Sequence, residues 1–175
     1  DANGIQQIFL QDLFSTNPAR LISQGLDEFG NNDSYRPRIS SNGNRVVFHS
    51  RASNLVPGDT NDHEDVFLYE VQNDRLMRAY DQQSGLDEPN GGSFYADLDS
   101  NGTKIVFESD ATNLQSDATA TQGRQVFLWD LSEGGTGKIT AITRGSGAST
   151  SASIDDSGSL VCFASEESNL DPGIE

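Results

Sequence analysis

The residues of this 175-residue chain best able to do chemistry fall into two groups. Asp59, Asn61, His63 and Asp65 occupy alternate positions of the acidic loop 59–65. Short acidic loops wrap a hard cation through oxygens at such positions, with a backbone carbonyl among them. The spacing makes Asp59, Asn61 and Asp65 candidate side-chain ligands for calcium, with His63 contributing its carbonyl. The competing reading is that Asp59 and Asp65 satisfy backbone donors in a tight loop. The second group is Tyr35, Arg36, Arg38, Tyr95 and Asp97. Arginines there could grip a carboxylate or phosphate through paired N–H donors, or neutralise acidic neighbours. Catalytic candidates are scarce. His49 follows a strand phenylalanine, His63 lies in a polar loop, and neither has a serine or cysteine nucleophile nearby in sequence. No zinc spacing and no nucleophile elbow is present, so no catalytic residue is assigned, although triads can also assemble from residues distant in sequence.

What must position these residues is a repeat. Residues 39–48 read ISSNGNRVVF, 98–107 read LDSNGTKIVF and 154–163 read IDDSGSLVCF. Ser50, Ser109 and Ser165 follow, each with an Asn-Leu pair four residues later. A second track recurs out of phase with the first: IFLQDL from Ile8, VFLYEV from Val66 and VFLWDL from Val126. Two interleaved tracks at a fixed period of about 58 residues mark a repeat architecture.

In the fullest unit four segments have strand character: Tyr35 to Ser40, Arg45 to Ser50, Glu64 to Val71 and Leu76 to Asp81. Asn42-Gly43 favours the positive backbone angles of a tight hairpin turn, and Asn101-Gly102 and Ser157-Gly158 repeat that chemistry. Four antiparallel strands per unit at fixed period describe a blade of an all-β propeller. The expected organisation is one module over 1–175: residues 1–33 the second half of a blade, 34–92 and 93–149 two blades, and 150–175 the first half of another. Innermost strands line a propeller's axis, which would place Tyr35, Arg36, Arg38, Tyr95 and Asp97 near a central funnel. Phe9, Phe48, Phe67, Phe107, Phe127 and Phe163 recur at the period and are expected to fill the space between blades. Trp129 stacks with Tyr69 and Gln11 on the alternate strand face and is expected as an exposed contact or rim residue. The acidic turns Gly25-Leu26-Asp27-Glu28 and Gly85-Leu86-Asp87-Glu88 read as structural loop signatures.

Composition narrows the partners. A net charge of −16, with Lys104 and Lys138 the only lysines, repels polyanions, so nucleic acid and anionic membranes are poor partners. The same charge suits simple solubility, high salt or cation binding. Cys162 takes the place of Val47 and Val106 in the repeat and is expected as a small buried hydrophobe. A single cysteine makes no internal disulfide, and no apolar run is long enough to span a membrane. The chain opens at Asp1 without a methionine, which leaves room for an export signal upstream.

Residues Ser40-Ser41-Asn42-Gly43 through Val46-Val47-Phe48-His49-Ser50 resemble the S-x-D-G-x-x-hydrophobic-hydrophobic-F-x-S core of the TolB-type (WD40-like) β-propeller repeat. Asp65-Val66-Phe67-Leu68-Tyr69-Glu70 is similar to that family's D-[IV]-[YF]-hydrophobic-x-D strand. There are departures: Asn42 and Asn101 stand where the turn aspartate is expected, and Gln7 and Gln125 replace Asp65 in the other copies. The resemblance implies six blades, whereas two blades and two halves make only three, fewer than the four a closed propeller needs. The ends are complementary, since 168–175 continued into 1–9 reproduce the pattern of 53–67. A two-fold homodimer in which each chain completes the other's half-blade gives six; the alternative is a piece of a longer propeller. The function expected is a non-catalytic binding or scaffold module, possible calcium stabilisation included, that recognises a protein or small ligand through its loop face or central funnel. The location expected is bacterial and extracytoplasmic, periplasmic or extracellular. A hydrolase, the regulatory propeller of a larger peptidase and a lectin-like glycan binder are the alternatives.

Overall fold

The computed structural model describes residues 4–25, 29–80, 87–114, 123–167 and 170. The complementary joint runs through 1–3, 168–169 and 171–175, the acidic turns include 26–28 and 85–86, and the second copy of the acidic loop includes 117–122; these lie outside the described residues.

Among the described residues all regular structure is β, in four antiparallel sheets. β1 (Phe9–Leu10) and β2 (Arg20–Leu21) form the first, a two-stranded sheet. β3 (Ser34–Ile39), β4 (Arg45–Ser50), β5 (Asp65–Glu70) and β6 (Arg75–Arg78) form the second, in chain order. β7 (Ser93–Leu98), β8 (Lys104–Ser109), β9 (Gln125–Asp130) and β10 (Lys138–Ala141) repeat that meander. β11 (Ser149–Ile154) and β12 (Val161–Ser165) form the last, two-stranded sheet.

The strands read as apolar runs because both faces of each inner sheet are covered. Successive side chains point to opposite faces. Val46, Phe48, Phe67 and Tyr69 face the first half-blade and pack with Ile8 and Ile22. Val47, Leu68 and Met77 face the next blade and pack with Ile105, Phe107, Phe127 and Trp129. Each fully buried Val, Leu or Phe of this kind contributes about 1.5–3 kcal/mol.

The first hairpin of each unit closes through a four-residue loop. Ser40 N donates to Arg45 O, Asp99 N to Lys104 O and Asp155 N to Leu160 O. Only the glycine of each expected pair has a positive φ: 71° at Gly43, 68° at Gly102 and 69° at Gly158. The carboxylate stands earlier than the family pattern puts it. Asp99 Oδ1 accepts from Thr103 N and Lys104 N, Asp155 Oδ1 accepts from Ser159 N and Leu160 N, and Ser40 Oγ does part of that work by accepting from Arg45 N. Adjacent blades are tied at these loops: Arg45 Nη1 donates to Gly102 O at 2.8 Å, and Lys104 Nζ to Gly158 O at 3.0 Å.

Three packing expectations are corrected. Trp129 is buried, its Nε1 donating to Thr136 O at 2.7 Å, because its face of β9 packs on the preceding blade in one cluster with Leu68 and Met77. Cys162 is exposed, because β12 has no third strand beside it. Phe48, Phe67, Phe107 and Phe127 are buried, but Phe9 is 57 % exposed and Phe163 only half-buried, since both lie in half-blades.

Candidate functional site

Each inner strand carries the same irregularity. The register of β3 on β4 shifts between Tyr35 and Arg38, that of β7 on β8 between Phe94 and Asp97, and that of β11 on β12 between Thr150 and Ser153. Within each bulge a non-glycine residue takes the left-handed conformation: Arg36 at φ 49°, Tyr95 at 52° and Ser151 at 58°. Such conformations cost of order 1–3 kcal/mol and persist only where the surroundings enforce them. Here they turn three side chains of adjacent blades towards a common groove.

That groove, about 600 Å³, is walled by Arg36, Arg38, Tyr95, Asp97, Glu108 and Arg124, with Thr150 to Ser153 on the far side. Four of the five expected funnel residues therefore come together. The fifth, Tyr35, is the repeat counterpart of Phe94 rather than of Tyr95; it packs on His49 at 5.6 Å and donates to Asp33 Oδ2 at 3.0 Å. Arg36 lies 4.7 Å over the Tyr95 ring, and both Arg36 and Arg38 are exposed, without a carboxylate partner among the described residues. Asp97 is committed to structure: its Oδ2 accepts from Ser153 Oγ at 2.7 Å and Ile154 N at 3.3 Å, fastening the second blade to the last half-blade.

Behind the groove the two whole blades solve one problem with opposite charges. In the first, His49 Nδ1 is hydrogen-bonded to Glu64, which also accepts from Arg51 Nε at 2.9 Å. Burial pushes the Glu64 carboxyl up, but hydrogen bonds from His49 and Arg51 outweigh it and hold it below its ordinary value. In the second, Glu108 stands in the place of His49, Arg124 in that of Glu64 and Asp110 in that of Arg51. Arg124 donates to both Asp110 oxygens at 3.0 Å, lies 3.6 Å from Glu108 and covers Phe94 at 4.4 Å. Each central residue meets the bulge of the following blade: His49 packs on Tyr95 at 5.7 Å, and Glu108 Oε1 accepts from Ser151 N at 2.6 Å. Sequence reasoning missed Glu108, Arg124 and Ser151; stacking the repeats aligns them, but their types differ from copy to copy.

The loop 59–65 converges on an arginine. The Arg78 guanidinium lies 2.7 Å from Asp59, 3.3 Å from Asp65 and 2.5 Å from Glu88. Asn61 turns its amide nitrogen to Asp65 at 3.1 Å and its oxygen to His63 N at 2.9 Å. Among the described residues no group of three or more His, Cys, Asp or Glu side chains is arranged to hold a metal ion. Of the oxygen set expected for calcium, Asp59 and Asp65 face Arg78, whose guanidinium supplies positive charge there. Burial raises the Asp59 carboxyl and pushes that of Asp65 up to about 6, with Arg78 offsetting part of the effect. Glu88 is also pushed up by burial, but Thr60 and Arg78 outweigh that and lower it.

No family model matches the sequence, nor does any curated protein sequence. Solved structures match in fold. Putative TolB from Agrobacterium tumefaciens aligns at a TM-score of 0.59 and 16% identity over 96% of this chain and 48% of its own. Oligogalacturonate lyase from Vibrio parahaemolyticus aligns at 0.54 and 17% identity over 94% of this chain and 40% of its own. TolB from Acinetobacter baumannii aligns at 0.50 and 20% identity over 90% and 31%. The chain thus spans between about a third and a half of the length of these structures. Repeat, sheet order and structural likeness agree on one conclusion: the fold of this chain is that of the TolB-type, WD40-like β-propellers, with two four-stranded and two two-stranded sheets among the described residues.

Proposed function

We propose that this chain is a non-catalytic binding and scaffold module whose inner-strand groove receives an acidic group, a carboxylate or phosphate, of a protein or small ligand. The observation that carries the reading is the pair Arg36 and Arg38, exposed on the groove without carboxylate partners among the described residues, in a chain of net charge −16. On so acidic a surface, arginines without a carboxylate partner are the places where an anion is favoured, and planar guanidinium groups suit bidentate recognition. An extracytoplasmic setting accords with this role.

The test is calorimetric titration with citrate, inorganic phosphate and oligogalacturonate, the last probing the glycan-binding alternative with a sugar polymer rich in carboxylates. Binding of at least one probe is expected, weakened roughly tenfold by Arg36→Ala and more by the Arg36→Ala/Arg38→Ala pair, at unchanged melting temperature. Absence of binding by all three probes, or binding indifferent to both arginines, overturns the proposal.

A further inference from the structure

The buried ionisable groups behind the groove differ in their charge count. In the first whole blade one carboxylate, Glu64, meets one guanidinium, Arg51, and the ring of His49. In the second, one guanidinium meets two carboxylates. Arg124 directs its hydrogen bonds at Asp110, Nε to Oδ1 and Nη2 to Oδ2, both at 3.0 Å. Glu108 is left with an attraction across 3.6 Å, too long for a good hydrogen bond. Yet Glu108 is the more deeply buried acid, its side chain 2 % exposed against 46 % for Asp110. Buried charges are ordinarily paired and their oxygens hydrogen-bonded. Here Oε1 accepts from Ser151 N, while Oε2 has no hydrogen-bond partner among the described residues.

This carboxylate belongs to the groove. Glu108 and Ser151 are both among its walls, and the hydrogen bond between them holds the carboxylate in place rather than letting it swing to Arg124. Across the groove the chemistry changes sign. Arg36 and Arg38 stand on β3, Tyr95 and Asp97 on β7, and Glu108 on β8 beside the bulge of β11. The Tyr95 ring already carries one cation, Arg36, at 4.7 Å. Asp97 Oδ2 is engaged by Ser153 and Ile154, which leaves Glu108 Oε2 as the buried acceptor on this wall that no donor meets.

We infer that the groove takes a zwitterion of the amino-acid class, whose acidic group lies at Arg36 and Arg38 and whose protonated amine donates to Glu108 Oε2. This rests on the anion-binding reading above and narrows it to small ligands that carry an ammonium as well as an acid. An ammonium suits the position: it brings a single charge and three donors. Calcium would ask for six or more oxygens and would stand beside the charge of Arg124.

Calorimetric titration with matched probes tests this, β-alanine against propionate and L-glutamate against glutarate, with propylamine as the amine alone. Within each pair the acid carries more negative charge, so the arginines by themselves favour the acid. The unmodified chain should instead bind the amino acid of at least one pair roughly tenfold more tightly than its acid. Glu108→Gln keeps an acceptor for Ser151 N and removes the charge; it should abolish that preference, whereas Arg36→Ala should weaken both members of the pair. Equal or weaker binding of both amino acids by the unmodified chain overturns the inference without recourse to any variant. So does a preference that survives Glu108→Gln, or propylamine binding as tightly as the amino acids. Acids that bind through the arginines with no gain from the amine overturn this inference alone. Failure of citrate, phosphate and oligogalacturonate together with both acids overturns the anion-binding reading, and this inference with it.

Discussion

Arg78 decides the character of the loop 59–65. Its guanidinium sits among Asp59, Asp65 and Glu88, with the side chains of Arg78, Asp59 and Asp65 almost wholly buried. Removing one partner of a buried cluster leaves charges without compensation, which typically costs 3–5 kcal/mol. Arg78→Met should therefore lower unfolding stability by about that amount in urea titrations. Because the arginine already supplies the cation, excess chelator or added calcium should leave the melting temperature of the unmodified chain unchanged. Asp65 makes a separate statement about pH. Its folded-state value, about 6, lies above its ordinary 3.8, so between the two the unfolded chain is ionised while the folded one holds its proton. Its contribution to stability is intact below the lower value and is lost as pH rises through the upper one, a change on the order of 2–3 kcal/mol. Thermal melts at pH 4 and pH 7 should show Asp65→Asn gaining on the unmodified chain by that margin; parallel pH profiles would refute the assignment. The acidic loop was legible in the sequence. Its occupant was not, because Arg78 lies on the next strand and reaches back across the sheet.

The first hairpin of each blade recurs, but its neighbours do not. Gly43 and Gly102 occupy the same loop position with nearly the same positive φ, yet a Cβ on Gly43 would meet nothing within 4 Å, whereas one on Gly102 would stand 2.8 Å from Arg45 Cβ. Gly43→Ala should cost about 1 kcal/mol for the left-handed backbone alone. Gly102→Ala should cost roughly 1–2 kcal/mol more, since it displaces Arg45 from Gly102 O and from its ion pair with Glu70. Chemical denaturation of the two variants side by side checks the difference; equal losses would mean the blade-to-blade contact contributes nothing. At this scale the sequence was informative. The whole-blade strands appear within a few residues of their expected bounds, and the recurring Ser50, Ser109 and Ser165 prove to be hydroxyl ties between first and second strands. The bulges escaped notice, because Arg36, Tyr95 and Ser151 share a backbone conformation but no chemical type.

Across the whole molecule 27 acidic residues face 11 basic ones, and the compact state brings those like charges together. Screening relieves such repulsion over distances beyond about 10 Å at 0.1 M salt, so the melting temperature should rise between low and moderate sodium chloride. A melting temperature that falls with salt would show that the ion pairs around Arg78, Arg124 and Arg45 outweigh the general repulsion. The same division by distance separates what each level of description determined. By itself, the sequence established the repeated blade and its four-strand order, because strand period, turn chemistry and recurrence are local patterns written along the chain. Tertiary structure alone decided that Arg78 occupies the acidic loop, that Trp129 is buried while Cys162 and Phe9 are bare, and that Ser151, Glu108 and Arg124 join Arg36 and Tyr95 at one groove. Those outcomes depend on which side chains face one another across sheets and between blades, and a one-dimensional pattern carries no record of what stands opposite.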